Sequence, residues 1–563
     1  MKILIVGGVA GGASAAARLR RLDEKAEIIL FERGSYISFA NCGLPYYIGG
    51  EITDKNALTL QTPKSFYDRF RIDVRINSEV TEIDPNEKSI TVKNLETDTQ
   101  YQESYDKLIL SPGAEPIKPP LDGIDDARIF TLRNIPDTYR IHEYIKQKQP
   151  KTALIVGGGY IGAEMAENLT SAGLSVTIVE LGDHAIGPLD YEMACDVHNY
   201  IRAKGIILLL NNGVKAFRPQ NDTIEVELAN GAVCADMVIM SVGVRPDSHL
   251  AKQANLSLNE KGAIKVNSHM QTSNEDIYAV GDAVEIIDFI TKENGYIPLA
   301  GPANKQGRIA ADNICGFHSE YKGTQGSSIL KLFDMTIATT GINERVAKLN
   351  QMDYDKIYLF SPSHATYYPN VNNMSIKVVY ENKTGRILGA QIVGFDGVDK
   401  RCDVLATAIR SGMTAMDLAE LELSYAPPFS SAKDPVNMAG FVIENILTGK
   451  VKQFHWHDVK DLPRDGSVTL LDTRTQSEYD RGAIQGTIHI PLDSLRDRLD
   501  ELDSSKPIYV NCQSGLRSYI ACRILTQNGF DCYNLGGGYR LYQSIMTEQA
   551  FDDTPSHACG VKI

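Results

Sequence analysis

Leu154-Ile155-Val156-Gly157-Gly158-Gly159-Tyr160-Ile161-Gly162 opens a pattern that runs through Leu169 and ends on the apolar stretch Val176-Thr177-Ile178-Val179-Glu180. It reads as strand, glycine turn, helix, strand. Gly157 makes the tight turn, Gly159 lets a pyrophosphate reach the backbone and the positive helix end, and Gly162 allows close helix packing. An acid about 20 residues further on hydrogen-bonds a ribose diol. Glu180 holds that place, and its carboxylate repels a 2′-phosphate, so NADH is expected over NADPH.

The same pattern stands at the start of the chain: Ile3 to Val6, then Gly7-Gly8-Val9-Ala10-Gly11-Gly12, an Ala-rich helix from Ala13 to Arg21, and Ile28-Ile29-Leu30-Phe31-Glu32. Here Val9 replaces the second glycine. Two such units about 150 residues apart, the second inserted into the first domain, describe one chain that holds two dinucleotides, which is the plan of a pyridine-nucleotide-dependent flavoenzyme. Tyr105 to Gly113 reads as the return crossing to the first domain. Ile277-Tyr278-Ala279-Val280-Gly281-Asp282 reads as the strand whose terminal Asp282 holds a flavin ribityl chain.

Further out, residues 327 to 448 change to short alternating strands and helical stretches, an α+β segment. A new α/β pattern follows, with strands at Val468 to Asp472 and Pro507 to Asn511 and a helix at Tyr519 to Gln527. The expected class is α/β: two Rossmann-like dinucleotide-binding domains, an α+β domain and a C-terminal α/β domain. Boundaries are expected at 1–115 with 245–325 for the FAD domain, 116–244 for the NAD(H) domain, 326–448 for the α+β domain, 449–455 for a linker and 456–563 for the last domain.

At 563 residues the chain needs several cores, and its net charge of −14 supplies no basic field for a nucleic acid. No apolar run reaches the ~20 residues that span a bilayer. With its first strand beginning right after Met1-Lys2, the chain reads as cytoplasmic, with no nucleic acid and no membrane as partner. Nine cysteines, at 42, 195, 234, 315, 402, 512, 522, 532 and 559, show no Cys-x-x-Cys spacing, so no metal is expected. Cys195, Cys234, Cys315, Cys402, Cys522 and Cys532 read as small buried hydrophobes.

Cys42 and Cys512 stand apart. Cys42 lies in Ser38-Phe39-Ala40-Asn41-Cys42-Gly43, where a flavin-linked thiol would lie, yet Gly43 to Gly50 carry no second sulfur. Its oxidised form must be a sulfenic acid, or a disulfide or persulfide with something outside the motif. Cys512 ends a strand and opens the loop Gln513, Ser514, Gly515, Leu516, Arg517, whose amides favour a thiolate or a persulfide anion. Four residues separate Cys512 from Arg517, one fewer than in cysteine phosphatases, which favours a sulfur carrier. Cys559, in the tail, reads as a frayed end or a sulfur relay.

Residues 1 to about 445 resemble the disulfide-reductase flavoproteins, and within them the single-cysteine coenzyme A disulfide reductases and NADH-dependent persulfide reductases. The resemblance rests on the Cys42 motif, Gly301-Pro302-Ala303-Asn304-Lys305-Gln306-Gly307-Arg308, His364-Ala365-Thr366-Tyr367-Tyr368-Pro369 and Tyr425-Ala426-Pro427-Pro428-Phe429. The C-terminal region resembles a rhodanese, through Leu471-Asp472-Thr473-Arg474, Gly482 to Pro491 and Gly536-Gly537-Gly538. The first resemblance implies a homodimer formed through residues 326–448 as dimerisation domain, in which Cys42 forms a mixed disulfide with coenzyme A beside the flavin, while Tyr367 and Tyr425 face the site across the dimer as hydrogen-bond or proton donors.

It also implies contacts to FAD from Gly7, Gly8, Ala10, Gly11, Glu32, Arg33, Ser111, Gly113, Asp282 and Ala300. Those to NAD come from Gly157, Gly159, Tyr160, Ile161, Gly162, Glu180 and Gly243, and those to coenzyme A from Ser38, Asn41, Arg18, Arg21 and Arg71. The related NADH oxidases and peroxidases carry a histidine in the first glycine loop. Ala10 stands there instead, which favours thiol exchange over oxygen or peroxide reduction. The expected activity is NADH- and FAD-dependent reduction of a persulfide, a polysulfide, or coenzyme A persulfide or disulfide. Two alternatives stay open: a coenzyme A disulfide reductase with a non-essential rhodanese, and a redox sensor or sulfur-relay module.

Overall fold

The computed structural model describes residues 1–551. They form two compact units, residues 1–182 with 205–324, and residues 183–204 with 325–551.

The first unit holds two five-stranded parallel sheets. One is ordered Ile277–Ala279, Lys107–Leu110, Lys2–Val6, Glu27–Phe31, Asp73–Arg75, and the other Ile207–Leu209, Ser175–Val179, Thr152–Val156, Met237–Met240, Ile129–Thr131. Their central strands are covered on both faces, which is why Ile3, Leu4, Ile5, Leu154 and Ile155 follow one another without polar interruption. In both sheets the strand order reverses beside the strand that feeds a glycine loop, the place where open α/β sheets bind ligands. The first glycine loop opens helix Ala10–Leu22, one turn earlier than its alanine run suggests, and this helix packs on Ala300–Ile314. The second opens helix Tyr160–Ser171. Each sheet is also accompanied by a three-stranded antiparallel sheet, Ser78–Asp84 to Gln100–Ser104 in one case and Val214–Pro219 to Ala232–Ala235 in the other.

The second unit contains an antiparallel sheet ordered Ser328–Leu332, Met335–Gly341, Ile387–Gly394, Asn373–Glu381, Tyr354–Pro362, and a parallel sheet ordered Lys452–Phe454, Cys532–Leu535, Ile508–Asn511, Thr469–Asp472, Ile488–His489. Two differences from the sequence expectation stand out. Helix Tyr191–Ala203, expected within the NAD(H) domain, groups with this unit. Its approach is tied by Lys377, fully buried and bonded to Asp190 at 2.7 Å, to Glu344 at 2.6 Å and to Glu192. Lys452–Phe454, expected in a linker, is an edge strand paired with Tyr533 to Leu535. Among the described residues no helix is long and apolar enough to cross a membrane.

Candidate active site

The two glycine loops are built alike. Gly7 and Gly157 take φ of +97° and +102°, the left-handed region that glycine alone enters freely, and a Cβ on Gly12 or Gly162 would run into the carbonyl oxygen of Gly7 or Gly157. Glu32 accepts the amides of Gly8 at 2.9 Å and Gly34 at 2.8 Å. Glu180 accepts those of Gly158 at 2.6 Å and Gly182 at 2.8 Å. Each acid therefore clamps its own loop as well as standing where a ribose would be read. Val9 occupies the place of Gly159 without disturbing this geometry.

A cavity of about 150 Å³ beside the first loop is lined by Gly7, Ala10, Gly11, Glu32, Arg33, Ser111, Gly113 and Asp282, all expected as FAD contacts, by Asn41, expected instead as a coenzyme A contact, and by Tyr36, Phe39 and Arg133, which were not expected. Of the remaining two, Gly8 is held by Glu32, and Ala300 begins the helix whose Ala303 reaches the wall. Arg33 is paired with Asp247 at 3.1 Å. Burial pushes the Asp282 carboxyl up, opposed by the charge of Arg133. The cradle suits FAD: its floor is glycine backbone, and Asn41 Oδ1, buried at its edge, has no hydrogen-bond partner. Around the second loop, Gly159 faces open space, Ile161 is exposed, and Gly243, at φ +104°, accepts the amide of Ile117.

Cys42 sits in a single helical turn, Asn41–Gly43, leading into helix Leu44–Ile48. The residue is exposed, yet enclosure of its sulfur and the charges of Glu164 and Asp282 push the thiol up. Helix Leu44–Ile48 packs on Tyr160–Ser171, closely enough that a Cβ on Gly49 would collide with the side chain of Asn168. The thiol loop thus rests on the helix that starts at the nucleotide loop. Glu164 on that helix, unforeseen from sequence, has its carboxyl pushed up to about 7 by burial and by Glu167. Its signal was its place two residues after Gly162.

A second cavity, of about 360 Å³, is lined by Ser14, Arg18, Arg21, Ser38, Phe66, Asn304 and Arg308 among others. Arg18 and Arg21, expected at the phosphates of coenzyme A, and Ser38, expected near its pantetheine arm, line it together; Arg308 was missed, although it lies in the quoted Gly301 to Arg308 motif. Arg18 is bound to Asp312 at 2.7 Å, which leaves Arg21 and Arg308 as the exposed cations. Arg71 is not among the lining residues; it ends helix Pro63–Phe70 in a left-handed turn, with its guanidinium over the Tyr67 ring. In the second unit the exposed hydroxyls of Tyr367 and Tyr425 hydrogen-bond each other at 3.1 Å, and this bond pushes the Tyr367 phenol up.

Cys512 follows strand Ile508–Asn511 and is fully buried. Its Sγ accepts the amide of Gly515 at 3.1 Å and the hydroxyl of Ser518 at 3.2 Å. The helix after the loop begins at Leu516, three residues earlier than expected. The carbonyls of Cys512 and Gln513 accept the amides of Tyr539 at 2.7 Å and Arg540 at 3.0 Å, fixing the loop from behind. Arg517 is bidentate to Glu478, 2.7 Å on each side, and this holds the Glu478 carboxyl down to about 2. Leu516 and Ile520 expose apolar surface beside the loop. Of the cysteines expected to be buried, Cys195, Cys402, Cys522 and Cys532 are; Cys234 and Cys315 are only half-buried, Cys234 on the less buried face of edge strand Ala232–Ala235 and Cys315 capping the end of helix Ala300–Ile314. Cys559 lies outside the described residues.

Two parallel sheets, each with a glycine loop closed by its own acid, define a two-dinucleotide oxidoreductase with further α+β and α/β domains. Residues 1–307 match the pyridine nucleotide-disulphide oxidoreductase family, 327–435 its dimerisation domain and 455–545 the rhodanese-like domain. The chain belongs to the pyridine nucleotide-disulphide oxidoreductases, an FAD- and NAD(P)H-dependent family.

It is 38% identical over 442 residues to the coenzyme A disulfide reductase of Staphylococcus aureus (strain JH9), covering 78% of this chain and 99% of that one. Among solved structures it is similar to the reduced Bacillus anthracis CoADR-RHD, with 50% identity, a TM-score of 0.95 and coverage of 97% of this chain and 98% of that one. It is also similar to an NAD-dependent persulfide reductase from A. fulgidus, with 37% identity, a TM-score of 0.90 and coverage of 96% and 100%.

Proposed function

We propose that this chain reduces sulfur–sulfur bonds of low-molecular-weight persulfides, polysulfides or coenzyme A persulfide and disulfide, drawing electrons from NADH and acting as a homodimer. The observation that carries this is the pair of thiol sites: Cys42 with no local partner sulfur, next to Asn41 at the wall of the cavity that suits FAD, and Cys512 in a cradle of amide and hydroxyl donors.

Bound FAD would supply the electron pair taken from NADH. The Cys42 thiolate attacks the thiol-bearing sulfur of a persulfide, forming a mixed disulfide and releasing hydrosulfide; the electron pair then returns Cys42 as thiolate and frees the thiol. Glu164, about half protonated at neutral pH, would hold a proton for the departing sulfur. Arg21 and Arg308 offer guanidinium groups to the phosphates of a coenzyme A substrate. Tyr367 and Tyr425 would donate hydrogen bonds to a leaving thiolate. At Cys512 the loop's arginine is already neutralised by Glu478, and the rim is apolar, which favours an organic persulfide over the dianion thiosulfate.

Cys42→Ser is expected to abolish NADH-driven turnover of both coenzyme A disulfide and coenzyme A persulfide while FAD stays bound, read by flavin absorbance and NADH oxidation. Full turnover in this variant would end the proposal. Cys512→Ser is expected to slow persulfide turnover selectively, which separates a coupled rhodanese from a non-essential one.

A further inference from the structure

His364 opens the stretch His364 to Pro369, of which the proposed turnover uses Tyr367 alone. The stretch lies in the loop between strands Tyr354–Pro362 and Asn373–Glu381. From Thr366 to Asn370 this loop is exposed, with Tyr367 at 74%. His364 is instead buried beneath it, at 5%, and both of its ring nitrogens are engaged. Nε2 lies 3.1 Å from the carbonyl oxygen of Pro369, while Nδ1 lies 3.0 Å from Ser363 Oγ and 3.4 Å from Asp396 Oδ2. We infer that His364 is a positioning residue for disulfide reduction: its bond to the Pro369 carbonyl closes the loop beneath Tyr367 and holds that phenol against Tyr425.

A carbonyl oxygen only accepts, so Nε2 carries the ring proton, and in the neutral imidazole Nδ1 is left to accept the Ser363 hydroxyl. The ring is thus fixed at both ends. Its edge-to-face contact with Tyr368, 5.8 Å between centroids, fixes it from the side. The turn has use for such a tie. Pro369 has no amide to contribute, and Asn370 after it takes φ of +65°, which a residue with a side chain enters at a cost. The His364 bond spans the four residues between its partners, so Tyr367 rides inside a closed ring.

That ring meets the Tyr425 loop at two points. The amide of Ala365 donates to the Pro427 carbonyl at 3.2 Å, and the Tyr367 and Tyr425 hydroxyls bond at 3.1 Å. One phenol spends its proton on the other, and the second keeps its own for a departing thiolate. The distance between the two oxygens therefore decides how a proton is presented. A shift of about 1 Å at Tyr367 takes the contact beyond hydrogen-bond length. The inference rests on the proposed role of these two hydroxyls, and one arm of the test isolates that role.

The test measures NADH-driven turnover of coenzyme A disulfide by the FAD-loaded full chain, with flavin reduction by NADH followed separately in stopped flow. His364→Leu is expected to lower kcat roughly tenfold, the worth of one hydrogen bond, with KM and the rate of flavin reduction unchanged. Tyr367→Phe should lower kcat as far, and the double variant no further, because the brace then has no hydroxyl to position. His364→Gln places an amide donor where Nε2 stands and should recover kcat to within about threefold of wild type. His364→Asn, one bond shorter, should not. The Gln and Asn variants decide the matter if the Leu variant does not fold. Wild-type kcat in His364→Leu, the same slowing by His364→Leu in the Tyr367→Phe background, or equal kcat in the Gln and Asn variants would overturn the inference. Wild-type kcat in Tyr367→Phe would overturn the role given to the tyrosines, and the inference with it.

Discussion

Glu164 shows how much a single side chain can escape a sequence reading. Its pKa of about 7 comes from burial against Glu167, a property of packing, whereas the motif announced only the glycines before it. The sign of its effect on stability follows. In the unfolded chain this group releases its proton near the usual carboxylate pKa, about 4.5, so between about 4.5 and about 7 the folded state binds more protons than the unfolded one. Its contribution therefore weakens as pH rises through that window. Glu164→Gln is expected to flatten this slope and to stabilise the protein by about 1 to 3 kcal/mol at pH 8. Thermal melts from pH 4.5 to 8 check it; parallel curves for the two proteins would count against it.

At the same scale, Arg308→Ala is expected to raise KM for coenzyme A disulfide by roughly tenfold, the loss of one charge-assisted contact, with little change in KM for inorganic polysulfide. Arg308 was missed because it meets Arg18 and Arg21 only where two helices cross.

Among the elements, the glycine loops were legible because their chemistry is local. Strand, turn and helix follow one another, and the acid that closes each loop arrives within the same unit. The Cys512 loop was legible for the same reason. What stayed hidden was contact between elements distant in the chain, such as the pairing of Arg517 with Glu478 and the seat of helix Leu44–Ile48 on Tyr160–Ser171. Gly49 carries that last contact, since any side chain there meets Asn168. Gly49→Ala is expected to cost about 1 to 3 kcal/mol of stability by overpacking and to lower kcat for disulfide reduction by shifting the Cys42 turn. Unchanged kcat in a destabilised variant would show that the seat supports the fold alone.

For the whole molecule, the sequence order and the spatial grouping part company at residues 183–204, which the chain writes between two strands of the second nucleotide sheet and the fold groups with the other unit. The reason is electrostatic as well as apolar: Asp190 and Glu192 share Lys377 with Glu344, and Lys356 pairs with Glu344 at 2.9 Å. A cationic residue in the middle of a sheet strand gives no hint of partners about 190 residues earlier. Lys377→Met leaves three buried carboxylates without their shared cation and is expected to cost about 3 to 5 kcal/mol, measured by denaturant unfolding. A loss below about 1 kcal/mol would contradict the role given to Lys377.

The central claim is that Cys42 is where an external sulfur–sulfur bond is opened. Mass spectrometry of the FAD-loaded protein, mixed with coenzyme A disulfide in the absence of NADH and after prior reduction, tests it most directly. One coenzyme A in mixed disulfide with Cys42, released on adding NADH, is the predicted result. An unmodified Cys42 with coenzyme A bound to Cys512 or to no cysteine would contradict the account.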